Sequence, residues 1–192
     1  DIGCFSLSVA KTIATGQGGF AVTNDNQLAK QMRAIRTHGV ENVKDPEFWV
    51  MPGFNFRFTD IQASIGIEQL KRLPERVKYL CELYSIYTEG LKDSPFEQIP
   101  VDMKAGEVPV YIEYLVENRS TWIERLESEG VETRPFYPDI DKAKYLSKQK
   151  HIFPNSKKYG LKGVYLPSGP SQPKFNLNTC IDKIKTISLS NK

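Results

Sequence analysis

Cys4-Phe5-Ser6-Leu7-Ser8-Val9-Ala10-Lys11-Thr12-Ile13-Ala14-Thr15-Gly16-Gln17-Gly18-Gly19-Phe20 combines one lysine, several hydroxyls and a glycine cluster, and the apolar run Phe20-Ala21-Val22 continues it. The pattern places an amine in a tight turn between two short buried strands, Ile2 to Ser8 and Gly19 to Thr23. A lysine amine becomes nucleophilic when burial or nearby cations lower its pKa, and it then forms a Schiff base with a carbonyl partner such as pyridoxal phosphate. Ser6 is close enough in sequence to help hold that partner's phosphate. Gly16, Gly18 and Gly19 allow left-handed backbone or close approach to a ligand. A plain glycine turn with a solvated lysine has the same composition, so the rest of the chain must decide between them.

A second stretch bears on that choice. Pro52-Gly53-Phe54-Asn55-Phe56-Arg57-Phe58-Thr59-Asp60 carries Asn55, able to donate an amide hydrogen bond to a phosphate, and Arg57, able to add a charge-assisted one. Alone, it reads equally as an aromatic turn that caps a helix.

Together the two stretches resemble the sugar aminotransferases of the DegT/DnrJ/EryC1/StrS family, pyridoxal-phosphate enzymes of the aspartate aminotransferase fold. The family has a Ser-Phe pair, the Schiff-base lysine five residues after the serine, then Gly-Glu-Gly-Gly. Here the pattern reads Ser6-Leu7, Lys11 and Gly16-Gln17-Gly18-Gly19, with Leu7 and Gln17 departing from it. The segment from Gly53 to Gly66 is similar to the family's Gly-Tyr-Asn-Tyr-Arg motif and the helix after it, with phenylalanine for both tyrosines. The resemblance implies that Lys11 is the covalent anchor and general base, and that Ser6, Lys11 and Asn55 bind pyridoxal 5'-phosphate. It also implies a homodimer with shared active sites, in which Asn55 reaches the cofactor of the other subunit.

The 192 residues are 40% hydrophobic and 26% charged, which suits one or two folded units with a real core. A net charge of +3, with Lys and Arg scattered, gives no nucleic-acid arm and mildly favours an anionic ligand such as a nucleotide sugar. Cys4, Cys81 and Cys180 are odd in number and far apart, so neither a disulfide framework nor a metal site is expected, and reduced thiols in the cytoplasm are the simplest reading. No apolar run approaches the roughly 20 residues of a membrane span.

After the lysine turn, Asn24-Asp25-Asn26 supplies a helix cap, and Leu28, Met32 and Ile35 recur at helical spacing until Gly39. His38 falls in the last turn as a cap rather than a ligand. Val40 to Met51, with Pro46 and Phe48-Trp49, reads as a loop. Thr59 and Asp60 start a helical run that Pro74 interrupts and that resumes to about Lys92, giving a kinked or two-part helix. A loop from Pro95 to Gly106 precedes a strand at Val108 to Val116, a helix at Asn118 to Glu129 stopped by Gly130, and a strand at Val131 to Pro138. A long loop then leads to a closing helix near Leu177 to Leu189.

The fold class is therefore α/β, with helices covering one sheet face. The resemblance makes it the C-terminal part of a pyridoxal-phosphate transferase fold: residues 1–75 as a remnant of the large domain and residues 76–192 as the small C-terminal domain. Arg134-Pro135-Phe136-Tyr137-Pro138 and Tyr165-Leu166-Pro167-Ser168-Gly169-Pro170 look most like the perosamine synthase branch, which aminates a 4-keto hexose carried on GDP and serves polysaccharide and O-antigen biosynthesis. Arg57, Arg134 and Tyr137 are the candidate contacts to that substrate, with an amino acid such as glutamate as amino donor. Asp139-Ile140-Asp141 stands where relatives commonly carry a histidine.

The family's acidic partner for the ring nitrogen and its ring-stacking residue both lie upstream of the lysine, and no residue here matches them. With Asp1-Ile2-Gly3 at the start and no methionine, the chain reads as a fragment that alone binds cofactor weakly, does not turn over, and leaves sheet edges and apolar surface exposed. A remnant serving only as a dimerisation or binding module is the alternative. A dehydrating relative is a third reading, opposed by Lys11, since those enzymes typically carry histidine there.

Overall fold

The computed structural model describes residues 1–44, 48–146 and 152–190, which form two units, Asp1–Pro74 and Glu75–Lys192. Pro46, used in reading the loop after Val40, lies outside the described residues.

In the first unit, strands β1 (Gly3–Ser6) and β2 (Gly19–Val22) pair antiparallel, with Phe5 opposite Phe20 and Ser6 opposite Gly19. A side chain at Gly19 would overlap the Phe5 carbonyl, so glycine sets the strand spacing. The expectation that these strands are buried is corrected. Among the described residues the sheet has two strands only, and Phe5, Phe20 and Val22 are each about half exposed, at 52%, 50% and 50%. Among the described residues no third strand pairs with them, and their apolar side chains stay largely open to water.

Helix α1 (Asn26–Arg36) starts where sequence places it, because the Asp25 carboxylate accepts hydrogen bonds from the Gln27 and Leu28 N–H groups at 2.8 and 3.0 Å. His38 is not in its last turn. The helix ends at Arg36, and His38 and Gly39 both take left-handed backbone, with φ of 58° and 77°. Helix α2 (Asp60–Lys71) opens on a full capping box: Gln62 N–H donates to the Thr59 hydroxyl while the Gln62 side chain accepts from the Thr59 N–H. None of its residues is buried. The helical run divides at Arg72, and helix α3 (Leu73–Leu91) takes Pro74 in its first turn, where a missing N–H is harmless.

The second unit is built on an antiparallel sheet of β3 (Glu97–Gln98), β4 (Ile112–Leu115), β5 (Arg134–Pro135) and β6 (Gly163–Leu166), in spatial order β3-β4-β6-β5. Alternation fixes its faces. Ile112 and Tyr114 of β4 lie opposite Leu166 and Val164 of β6, and all four are buried. They join Leu83, Tyr87 and Leu91 of α3, Trp122 and Leu126 of α4 (Arg119–Ser128), and Leu177, Cys180 and Ile184 of α6 (Lys174–Leu189) in one core. Phe96 meets Trp122 edge-on at 4.9 Å. Burial pushes the Cys180 thiol up to about 11, which marks it as a packing residue rather than a nucleophile.

Several sequence expectations change in this unit. The strands expected over Val108 to Val116 and Val131 to Pro138 are reduced to Ile112–Leu115 and Arg134–Pro135. The loop from Pro95 contains β3, and the long loop after Pro138 contains, within its described part, helix α5 (Pro154–Lys162) and strand β6. No helix among the described residues is long and apolar enough to cross a membrane, and no group of three or more His, Cys, Asp or Glu among them is placed to hold a metal ion.

Candidate active site

Lys11 lies in the loop between β1 and β2, with its side chain exposed. Three contacts fasten the loop at its ends: Leu7 N–H donates to the Gly18 carbonyl, Thr15 N–H to the Leu7 carbonyl, and Lys11 N–H to the Ser8 carbonyl, at 2.9, 2.9 and 3.1 Å. The Thr15 hydroxyl donates to the Gln17 carbonyl at 2.7 Å, and Gln62 of α2 donates to the same carbonyl at 3.0 Å. Gln62 thus both caps α2 and anchors the lysine loop. Gly18, at φ 109°, has no room for a side chain, since a Cβ would stand 2.6 Å from the Phe58 ring. Ser6 Oγ lies 3.3 Å from Ser8 Oγ and accepts the Ser8 N–H at 3.3 Å.

Asn55 and Arg57 lie on a second segment bound to the end of α1. Phe54 N–H donates to the Ile35 carbonyl, His38 N–H to the Phe54 carbonyl and Phe56 N–H to the Arg36 carbonyl, at 2.7, 2.8 and 3.0 Å. Arg57 Nε donates to Asn55 Oδ1 at 2.8 Å. That bond fixes the orientation of the amide, and no described contact uses its Nδ2 donors. Arg57 lines a cavity of about 880 Å³ with Phe56, Phe20, and Arg33 and Arg36 of α1. Sequence reading missed those two arginines, whose position in the last turn of a helix marks them first as partners of its dipole. The exposed Lys11 amine can bond an aldehyde, and the Ser6 hydroxyl and the Asn55 amide beside Arg57 can meet a phosphate, while no described contact joins Lys11 to Asn55 or Arg57.

Arg134 and Tyr137 belong to the second unit, where they meet: the guanidinium carbon stands 5.5 Å from the Tyr137 ring and 5.0 Å from the Tyr165 ring. Arg134 and Tyr165 line a cavity of about 580 Å³ with Tyr111, Thr133, Gln172 and Asn176. Asp139 is buried and holds Lys142 at 2.8 Å and the Ser156 hydroxyl at 3.2 Å. The Lys142 ammonium and the Ser156 hydroxyl hold its carboxyl below the ordinary range. Asp139 therefore ties the turn after Pro138 to α5, a role visible only once α5 is in place.

Residues 1–185 match the DegT/DnrJ/EryC1/StrS aminotransferase family, and the chain belongs to it. It is similar to a GDP-perosamine synthase of Vibrio cholerae, 27% identical over 197 residues, covering 97% of this chain and 51% of the relative. A GDP-4-keto-6-deoxy-D-mannose 3-dehydratase of Escherichia coli O55:H7 is 30% identical over 177 residues, covering 78% of this chain and 45% of that protein. In fold, the crystal structure of the aminotransferase TlmJ from Streptoalloteichus hindustanus superposes with a TM-score of 0.89 at 24% identity, covering 100% of this chain and 52% of its own. The chain thus spans about half the length of the relatives it matches.

Proposed function

We propose that this chain forms part of a pyridoxal-phosphate-dependent aminotransferase that moves an amino group from an amino acid such as glutamate to a nucleotide-linked keto sugar of the GDP-4-keto-6-deoxymannose kind. The observation that carries the reading is the lysine turn of a family member: Lys11 stands exposed on a loop clamped at both ends. Bound pyridoxal phosphate supplies the electron sink that stabilises negative charge at the substrate carbon. Lys11 anchors the cofactor through its ε-amine, and that amine carries protons to and from the carbon. Ser6 and the Asn55 amide hold phosphate, with Asn55 serving the site of a second copy in a homodimer. Arg57, Arg134 and Tyr137 contact the nucleotide sugar. Residues 1–75 act as the end of the cofactor-binding domain, residues 76–192 as the small domain.

Similarity to a dehydratase bears on the reaction at the sugar, and Lys11, in place of the histidine expected of dehydratases, favours amino transfer. A second reading, a non-catalytic dimerisation module, draws on the exposed Ile61, Ile67 and Leu70 of α2. The two separate on adding pyridoxal phosphate to the purified chain. The aminotransferase reading expects weak occupancy that borohydride reduction traps on the chain as a covalent label and that Lys11→Ala abolishes. Equal trapping in wild type and Lys11→Ala contradicts it.

A further inference from the structure

Glu113, Tyr165 and Arg134 are register partners across three adjacent strands: Glu113 of β4 opposes Tyr165 of β6, and Arg134 of β5 opposes Tyr165 from the other side. Directly opposed residues in an antiparallel sheet share a face, so the three form one row on the face away from the core. Tyr165 is the fixed member. Its ring stacks on Phe136 at 4.5 Å with planes 28° apart, meets Tyr111 edge-on at 5.5 Å, and is half-buried. Tyr137, the other ring beside Arg134, is 75% exposed. Burial and the Glu113 carboxylate raise the Tyr165 phenol, so the ring stays neutral and its face remains available to a cation.

We propose that Tyr165 is a positioning residue that holds the Arg134 guanidinium against its ring, leaving the N–H fork of that arginine directed to the phosphates of a nucleoside diphosphate. The proposal rests on the reading of Arg134 as a substrate contact. The geometry supplies the reason a ring is needed: a long, otherwise exposed side chain on an edge strand of two residues has many rotamers, and a stacked ring removes most of them before the ligand arrives. A guanidinium held over a ring face still presents N–H donors for bidentate contact with phosphate oxygens, which an ammonium does not reproduce.

Two measurements on the whole chain test this, with Tyr165→Leu, Tyr165→Phe and Arg134→Ala. The first is the Arg134 Nε–H nuclear magnetic resonance, which the Tyr165 ring shifts upfield. Tyr165→Leu returns it toward the exposed-arginine position and Tyr165→Phe preserves the shift. The second is GDP binding by calorimetry, which Tyr165→Leu weakens roughly three- to tenfold, the loss expected of one cation–π contact, and Tyr165→Phe restores. A resonance unmoved by Tyr165→Leu overturns the proposal whatever GDP does. If the resonance responds but GDP fails to bind, or binds equally to Arg134→Ala, the substrate reading of Arg134 fails and the directed-donor role falls with it.

Discussion

Gly53→Ala tests how the Asn55 segment is held. A Cβ at Gly53 would overlap the Gly39 nitrogen and the His38 carbonyl carbon, which are backbone atoms with no rotamer through which to yield. Gly39 is equally constrained, at φ 77° with its own Cβ position filled by the Met51 carbonyl. The two chain segments therefore separate in the variant, and three hydrogen bonds open together: Phe54 to Ile35, His38 to Phe54, and Phe56 to Arg36. At about 0.5–1.5 kcal/mol each, the loss is about 1.5–4.5 kcal/mol of local stability. Amide hydrogen exchange at His38, Phe54 and Phe56 should accelerate roughly ten- to thousandfold, while amides of the second unit's core, such as Leu126 and Ile184, keep their rates. Unchanged exchange at those three amides would refute the back-to-back glycine contact as the fastening of this segment.

Other predictions concern the second unit. Asp139 has a depressed carboxyl, so its contribution to stability is present above the ordinary value of 3.8 and is lost as pH falls through the lower native one; thermal melts between about pH 5 and pH 1 should show a decline that Asp139→Asn flattens. Glu113 runs the other way. Burial raises its carboxyl above 4.5, so stability is fullest below that value and declines as pH rises through the native one, and Glu113→Gln should raise the denaturation midpoint at neutral pH but not at pH 4. Equal midpoints at both pH values would contradict this. Leu126→Ala removes a fully buried side chain and should cost about 2–5 kcal/mol in urea denaturation, and a loss well under 1 kcal/mol would mean the position is not the sealed core it occupies here.

The local elements that carry the candidate residues were legible in the sequence because they are set by short-range signals. The turn that carries Lys11 is bounded by two strands of four residues, and Asp25 and Thr59 start their helices by side-chain caps that sequence spacing reveals. Long-range features were not legible. The burial expected of β1 and β2 followed from their apolar residues, but burial needs a covering layer, which the chain's own pattern does not specify. Strand β6 and helix α5 were lost in an expected loop because Gly163 begins a strand of only four residues and α5 buries no residue to imprint a periodicity. With β6 unseen, the pairing of Tyr165 with Arg134 could not be inferred. Gln62 lies within the segment from Gly53 to Gly66, but its bond to Gln17 spans 45 residues and leaves no mark on local spacing.

The central claim, that Lys11 is the residue that bonds pyridoxal phosphate, is tested most directly by trapping and mapping. The chain is saturated with pyridoxal phosphate, reduced with borohydride so that even weak occupancy is captured, digested, and its labelled peptides identified by mass spectrometry. The account predicts that Lys11 carries the dominant label and that Lys11→Ala loses it without a compensating rise elsewhere. A label spread evenly over the chain's lysines, or concentrated on another lysine, would contradict it.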